Sequence, residues 1–213
     1  MGSARSGAGR LIIMAKEPCL GRVKTRLGRE IGAVAATGFY RCVAANLIRR
    51  LARDRRWHTV LAVAPDRALA SPFWPADIDR LRQGPGDIGQ RMARQLSGDR
   101  SGPAVLVGSD IPGLKASHIA DAFALLRRHQ AVFGPAEDGG FWLIGLNSRT
   151  RLAGLFDGVR WSSPHALADT LKNASSLRVA LAARLPDVDD AASYAQAAHA
   201  GTRVTPAWSP AAR

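Results

Sequence analysis

The chain has 213 residues, of which 46% are hydrophobic and 22% charged, a composition typical of one folded domain rather than of a disordered segment. Its formal net charge of +13 indicates an anionic partner, but the arginines are scattered and aromatic residues do not interleave with their one dense run, which does not favour nucleic acid. Two cysteines without CxxC spacing do not indicate a disulfide framework. The apolar run near the start is too short for a secretion signal or a membrane span. We therefore expect a cytoplasmic location.

Strands and helices alternate along most of the sequence. Short hydrophobic runs predict strands, and apolar side chains at every fourth position predict helices. In chain order, we predict a strand at 10–15, a loop, a helix at about 31–53, a strand at 57–64, a loop through 75, a helix from 87 to about 96, a strand at 104–108, a helix at 117–128, strands at 131–133 and 141–146, a helix at 164–171, a strand at 177–182 and a helix at 190–200.

This alternation predicts a single α/β domain over residues 10–204, with flexible tails at 1–9 and 205–213. The sheet is expected to be mostly parallel, with helices on both faces. Such sheets bind ligands at the carboxyl ends of their strands. The polar motifs of this chain follow strands, so their residues are candidates for a binding site.

The first motif joins the first predicted strand to a basic loop that contains Gly21, Lys16, Lys24 and Arg26. Glycine allows backbone N–H groups to approach a phosphate closely, and lysine and arginine supply the positive charge that a phosphate requires. The spacing is not that of a Walker A loop. The motif therefore predicts phosphate binding, with a plain basic surface loop as the alternative.

A second motif is rich in glycine and opens a predicted helix, a place that favours an anion or a closely approaching base. Its candidate binding residues are Gln83, Gly84, Gly86, Asp87 and Arg91. The alternative is an ordinary turn in which Asp87 caps the helix.

Two acidic motifs follow later strands. Ser109 and Asp110 come directly after a buried strand, and Glu137 and Asp138 precede two glycines between two strands. One carboxylate together with substrate phosphates is the usual way to hold Mg²⁺, so Asp110 and Asp138 are candidate metal ligands. A turn or cap aspartate and a glycine hairpin are the alternatives.

These motifs in combination resemble a bacterial glycosyltransferase-like family known as the radical-SAM/selenodomain-associated transferases of type 1. The resemblance rests on AKEPCLGRVKTRL at 15–27, GSDIP at 108–112, GPAEDGGFWLIGL at 134–146 and a closing DVD at 187–189. It implies a three-layer α/β/α fold of the GT-A, nucleotide-diphospho-sugar transferase type. Relatives with that fold include 2-phospholactate and molybdenum-cofactor guanylyltransferases.

Carried over by position, the resemblance implies a role for each motif. Lys16, Lys24 and Arg26 would hold donor phosphates, Asp110 would be the main metal ligand, and Asp138 and Asp189 would complete the metal site. Gly108 stands where many glycosyltransferases have the first aspartate of an Asp-x-Asp pair. The residues assigned to nucleotide binding are Ala15, Lys16, Gly21, Lys24, Arg26, Gln83, Gly84, Gly86, Asp87, Arg91 and Ser109. The segment 161–163 would face the acceptor.

The expected function is that of a transferase that uses a nucleotide-activated donor, a small-molecule acceptor and Mg²⁺ or Mn²⁺. Glycosyl transfer is slightly preferred, with Lys24 and either Glu137 or Asp138 in catalytic roles, since glycosyl transfer with inversion needs a carboxylate as general base. The alternative is nucleotidyl transfer, in which an acceptor attacks the α-phosphorus of a nucleoside triphosphate and pyrophosphate leaves. A second alternative is a non-catalytic module that binds a nucleotide or nucleic acid.

Overall fold

The computed structural model describes residues 9–98 and 100–199. Within them, one sheet contains seven strands: β1 Gly9–Lys16, β2 Trp57–Ala64, β3 Asp79–Arg82, β4 Ala104–Gly108, β5 Ala131–Pro135, β6 Phe141–Leu146 and β7 Val179–Leu181. The helices are α1 Thr25–Ile31, α2 Ala33–Ala52, α3 Ile88–Leu96, α4 Ala116–Leu125, α5 Ala166–Asn173 and α6 Ala191–His199, and a 3-10 helix spans Asp66–Ala70. None of the helices in these two ranges is long and apolar enough to cross a membrane.

The strand order is β3-β2-β1-β4-β6-β5-β7. All neighbouring strands are parallel except that β6 runs antiparallel to both β4 and β5. The chain moves outward from β1 to β3 on one side and then returns to place β4 on the other side. This reversal leaves a crevice between the carboxyl ends of β1 and β4, the place where doubly wound sheets bind ligands.

Alternate side chains of β1 pack into two separate hydrophobic layers. Leu11, Ile13 and Ala15 lie in one layer with residues of α2 and α4, whereas Ile12 and Met14 lie in the other with residues of α3. A strand whose two faces are both covered reads as a continuous hydrophobic run, which is why the central strands are recognisable in the sequence. The three-layer α/β/α fold with a mostly parallel mixed sheet is thereby confirmed.

The structure corrects the predicted elements at two places. Helix α1 lies where a loop was predicted, and Gly32, with a φ of 87°, separates it from α2, which is the helix predicted at about 31–53 with its ends shifted by one or two residues. The short edge strand β3 was not predicted, since it reads DRLR and is largely exposed. The other predicted elements are present with ends shifted by up to three residues.

The predicted tails fall almost wholly outside the described residues. Gly9, the last residue of the predicted amino-terminal tail, is the first residue of β1. Residues 1–8, the domain end predicted at 204, the tail at 205–213 and residue 200 of the last predicted helix lie outside the described ranges.

Candidate active site

Three neighbouring cavities open along the edge of the sheet where the parallel strands end. A central cavity of about 280 Å³ lies between the ends of β1 and β4 and has largely apolar walls that include Met14, Ile88 and Phe141. An acidic cavity of about 410 Å³ adjoins it and shares Lys24 and Asp110 with it. A basic cavity of about 440 Å³ adjoins the other side and shares Lys16 with it. The three cavities together form one groove.

Lys24 holds two carboxylates together where the central and acidic cavities meet. Its ammonium lies 2.7 Å from Asp110 Oδ2 and 2.9 Å from Asp189 Oδ1, and its side chain is only 6% exposed. Burial lowers the pKa of Lys24, but the charges of the two carboxylates outweigh that effect and raise the pKa well above its ordinary value. Lys24 is therefore a fixed positive charge at neutral pH.

The backbone at Lys24 is in the left-handed region, with φ 46° and ψ 48°, and this residue is the N-cap of α1. A positive φ is uncommon for a residue other than glycine and costs conformational energy, and such residues cluster at functional sites. The contacts with Asp110 after β4 and Asp189 before α6 hold the side chain in place. Arg26 reaches the same group less closely, with 3.9 Å between Nη1 and Asp189 Oδ2 and a side chain that is 65% exposed.

Tyr40 joins the two strand ends that form the crevice. Its hydroxyl accepts a hydrogen bond from Lys16 N at 2.8 Å and donates one to Lys16 O at 2.9 Å. Since the tyrosine proton is used in this way, the Ser109 hydroxyl, 2.9 Å away, donates to Tyr40. Burial and the charge of Asp110 raise the pKa of Tyr40, so the phenol stays neutral. Tyr40 thus ties α2 to the ends of β1 and β4.

The glycine-rich segment before α3 is held mainly by its own hydrogen bonds. Asp87 Oδ1 accepts from Gln90 N at 2.8 Å and Gln90 Oε1 accepts from Asp87 N at 3.1 Å, which is a capping box. Arg91 Nε donates to Gly86 O at 2.8 Å. Asp87 therefore has the capping role that was its alternative interpretation, and neither Gly86 nor Asp87 lines any of the three cavities.

Other residues of that motif do reach the groove. Gln83 is buried beside the central cavity and donates to the carbonyl oxygens of Ala15 at 3.2 Å and Ala62 at 2.8 Å. Gly84 lines the basic cavity and donates its N–H to Asp66 Oδ1 at 3.0 Å. Gly21 supplies a turn with a φ of 69° but lies outside the three cavities.

The loop between β5 and β6 presents Asp138 to the acidic cavity. Asp138 Oδ1 accepts from Gly140 N at 2.8 Å, which orients the carboxylate. Gly139 has a φ of 84°, and a Cβ there would lie 2.2 Å from Pro164 O, so only glycine fits against the segment that forms the opposite wall. Glu137 is exposed and lines none of the three cavities, which makes Asp138 the better placed of the two acids.

The carboxylates suit a divalent cation, but only together with further ligands. Asp110 and Asp189 already converge on one positive charge, and Asp138 lines the same cavity. The described residues contain no group of three or more His, Cys, Asp or Glu side chains that could hold a metal ion. A metal at Asp110 would therefore need oxygen ligands from donor phosphates or water, which is the usual environment of Mg²⁺.

Sequence reasoning missed several residues of the groove. Tyr40 was not among the predicted site residues, and neither were Arg22 and Arg67, which line the basic cavity beside Lys16 and Arg91. Arg67 lies three residues after the end of β2, so the rule that ligands bind at carboxyl ends of strands was a signal that could have found it. Ser162 and Ser163, from the segment expected to face the acceptor, line the acidic cavity.

Comparison with solved structures shows the same fold in nucleotide-using enzymes. A Desulfovibrio desulfuricans G20 protein described as a "putative nucleotide-diphospho-sugar transferase" aligns with 27% identity, a TM-score of 0.79 and coverage of 86% of this chain and 83% of that one. The 4-diphosphocytidyl-2C-methyl-D-erythritol synthase of Anaerococcus prevotii DSM 20548 aligns with 10% identity, a TM-score of 0.61 and coverage of 93% and 100%. The inositol-1-phosphate CTP transferase of T. maritima aligns with 14% identity, a TM-score of 0.55 and coverage of 88% and 91%.

Sequence comparison places residues 47–163 in a family described as "Uncharacterized protein conserved in bacteria (DUF2064)". No curated protein matches the chain significantly. The structural neighbours support the nucleotide-diphospho-sugar transferase fold that the sequence resemblance implied. The narrower assignment to the radical-SAM-associated transferases stays a prediction.

Proposed function

The chain belongs to the family DUF2064, and we propose that it is a metal-dependent transferase that uses a nucleotide-activated donor, with glycosyl transfer preferred. One observation carries the proposal. The buried ammonium of Lys24 and the carboxylates of Asp110 and Asp189 meet at the crevice between β1 and β4, beside a cavity with apolar walls. A base and ribose suit the apolar cavity, and a diphosphate suits a site where metal-binding carboxylates and fixed cations meet.

The groove accommodates a nucleotide-sugar along its length. The nucleoside would lie in the central cavity, with its base near Ala15 and Gln83. The diphosphate would lie at the boundary with the acidic cavity, where Lys24 and the exposed guanidinium of Arg26 are placed to bind it. The sugar would then extend into the acidic cavity, toward Asp138.

In this arrangement the protein acts chiefly by positioning and by charge. Lys24 and Arg26 would stabilise the negative charge that develops on the departing nucleoside diphosphate. Asp138, oriented by the N–H of Gly140, would accept the proton of the acceptor hydroxyl as it attacks the anomeric carbon. A Mg²⁺ or Mn²⁺ ion held by Asp110 would supply Lewis-acid neutralisation of the same phosphates.

The basic cavity favours a second candidate, nucleotidyl transfer. It borders the central cavity through Lys16 and is also lined by Arg22, Arg67 and Arg91, partly balanced by Glu17 and Asp66. This cavity could receive the β- and γ-phosphates of a nucleoside triphosphate, which leave as pyrophosphate when an acceptor attacks the α-phosphorus. A nucleotide-sugar has no third phosphate to place there, so the two reactions make different use of these arginines.

Thermal stability with a panel of nucleotide-sugars and nucleoside triphosphates, each with and without Mn²⁺, tests the proposal. A ligand at 100 times its dissociation constant stabilises by about 2.7 kcal/mol, which corresponds to a rise of roughly 5–10 °C for a chain of this size. A Mn²⁺-dependent shift with one nucleotide-sugar supports glycosyl transfer, and a shift with triphosphates alone supports nucleotidyl transfer.

Matched variants separate binding from catalysis. Asp110→Asn is expected to abolish the Mn²⁺-dependent part of the shift, whereas Asp77→Asn, which removes an exposed carboxylate away from the groove, is expected to leave it unchanged. With the donor found, Asp138→Asn is expected to lower kcat by two orders of magnitude or more, a typical general-base effect. No shift with any nucleotide would contradict the enzyme proposal, and salt-sensitive binding of nucleic acid would then favour the binding module.

A further inference from the structure

A large cavity opens at the opposite edge of the sheet from the proposed transfer site. Its volume is about 1040 Å³, and it is lined by residues at the starts of β1 and β2, at the end of α4 and around the loop after β6. Because β1 has eight residues, the two sites are separated by roughly 25 Å of strand. A single small ligand therefore cannot occupy both.

Four arginines line this cavity: Arg56, Arg127, Arg149 and Arg178. Among the described residues that line it there is no aspartate or glutamate. Arg56 is held in place, because Asp54 accepts its hydrogen bonds and its guanidinium lies 5.0 Å from the ring centroid of Trp57. The other three are exposed, and across the described ranges no ion pair involves them. Their positive charge is therefore available to a ligand.

The rest of the lining combines apolar and polar surface. Phe123 and Trp57, whose rings stack with centroids 5.9 Å apart, form an apolar part of the wall. Gln130 and Asn147 also line the cavity, but much of their hydrogen-bonding capacity goes to neighbouring backbone groups. An apolar wall with a few charged groups around it is the usual composition of a small-molecule site, and the volume lies at the upper end of such sites.

The described residues that line this cavity supply no carboxylate of their own. Residues 1–8 and 200–213 contain no aspartate or glutamate, and each segment includes arginine. Charge complementarity therefore points to an external anion. Arginine forms paired hydrogen bonds to phosphate oxygens, so a phosphate group suits a cavity that several arginines line.

We propose that this cavity binds a small, soluble, phosphate-bearing ligand at a second site, separate from the transfer site. The concave shape and the limited extent of the arginine cluster fit a compact polyanion better than an extended nucleic-acid strand, which needs a continuous basic groove with stacking side chains along it. The ligand's phosphates would contact Arg127, Arg149 and Arg178, and its apolar part would face Phe123. This inference does not depend on the proposed function.

Inorganic tripolyphosphate is a suitable probe, and its binding can be measured by ¹⁵N NMR of the tryptophan indole groups. Trp57 lines the arginine cavity and Trp142 lines the central cavity, so their two signals report on the two sites separately. We expect the Trp57 signal to shift in the wild-type chain. In R127A/R178A the dissociation constant obtained from that signal should rise at least tenfold. In R29A/R82A, which removes two exposed arginines elsewhere, it should change less than twofold.

Other outcomes overturn the proposal. Equal binding by R127A/R178A and the wild-type chain, or a shift of Trp142 without any shift of Trp57, would show that the arginine cavity is not a phosphate site. A 20-nucleotide single strand that binds more tightly than tripolyphosphate and loses that binding in R127A/R178A would identify nucleic acid as the occupant instead. R127K/R178K keeps the charge but not the paired hydrogen bonds, so intermediate affinity is expected for it.

Discussion

Replacing Lys24 with methionine tests whether its ammonium holds the site together. The substitution keeps most of the aliphatic side chain but leaves the carboxylates of Asp110 and Asp189 facing each other without the cation that lies 2.7 and 2.9 Å from them. Since both carboxylates lie within 3 Å of the same ammonium, they would repel each other once it is removed, so we expect the folded state to be destabilised and the loops that carry these aspartates to separate.

The magnitude follows from how deeply each group is buried. Breaking a fully buried ion pair costs about 3–5 kcal/mol, whereas exposed pairs are worth about 0–1 kcal/mol. Here the lysine side chain is 6% exposed, but the aspartates are 38% and 42% exposed, so water solvates much of the charge that remains. An intermediate loss of about 2 kcal/mol is expected, which corresponds to a fall in Tm of about 4–8 °C.

Calorimetric melting at neutral pH measures this loss, with Lys172→Met as the control because Lys172 is an exposed lysine on α5. The double variant Lys24→Met/Asp189→Asn should lose less stability than the two single variants added together, since removing one carboxylate relieves the repulsion. A Tm within about 1 °C of the wild-type value for Lys24→Met, or additive losses in the double variant, would refute the reasoning.

Two further predictions concern the surroundings of the site. Gly139→Ala should lower the free energy of unfolding, measured in urea, by at least about 2 kcal/mol, because the φ of Gly139 is 84° and a Cβ there would lie 2.2 Å from Pro164 O. Gly158→Ala is the control: its φ is 65° but the space around it is open, so it should lose only about 1 kcal/mol, and equal losses would contradict the packing argument. Burial and the nearby charge of Lys115 lower the pKa of His118, whose Nδ1 accepts a hydrogen bond from Lys115 N, so its NMR titration should give a pKa below 6.5. Its contribution to stability should be complete above pH 6.5 and be lost as the pH falls from 6.5 through that lower pKa; a measured pKa at or above 6.5 would contradict this account.

The fold was largely predictable from the sequence because its central strands are buried on both faces. The strands at 57–64, 104–108 and 141–146 have the predicted bounds, since apolar residues dominate each of them. Residues 79–82 could not be recognised in this way, because an edge strand has one side free and tolerates the charged sequence DRLR. Helix α1 was missed because its seven residues include Gly28 and only Leu27 is buried, so the segment has the composition of a loop.

The site was predictable as a set of residues but not as a set of contacts. The rule that ligands bind at carboxyl ends of strands correctly brings Lys24, Asp110 and Asp138 to one cavity. Nothing in a single sequence indicates that Tyr40, on the buried face of α2, aims its hydroxyl at the end of β1. Nor could the sequence decide between helix capping and ligand binding for Asp87, since both favour the same residue at that position.

The ion pair between Lys24 and Asp189 joins residues that are 165 positions apart in the sequence, and this separation affects when the site forms during synthesis on the ribosome. The strands from β1 to β6 end at Leu146, so most of the sheet has been synthesised well before Asp189 emerges. A nascent chain of that length already contains Lys24 and Asp110 but lacks the second carboxylate. The charge arrangement of the groove is therefore completed only near the end of translation, and a prematurely terminated product would keep most of the sheet without a finished site.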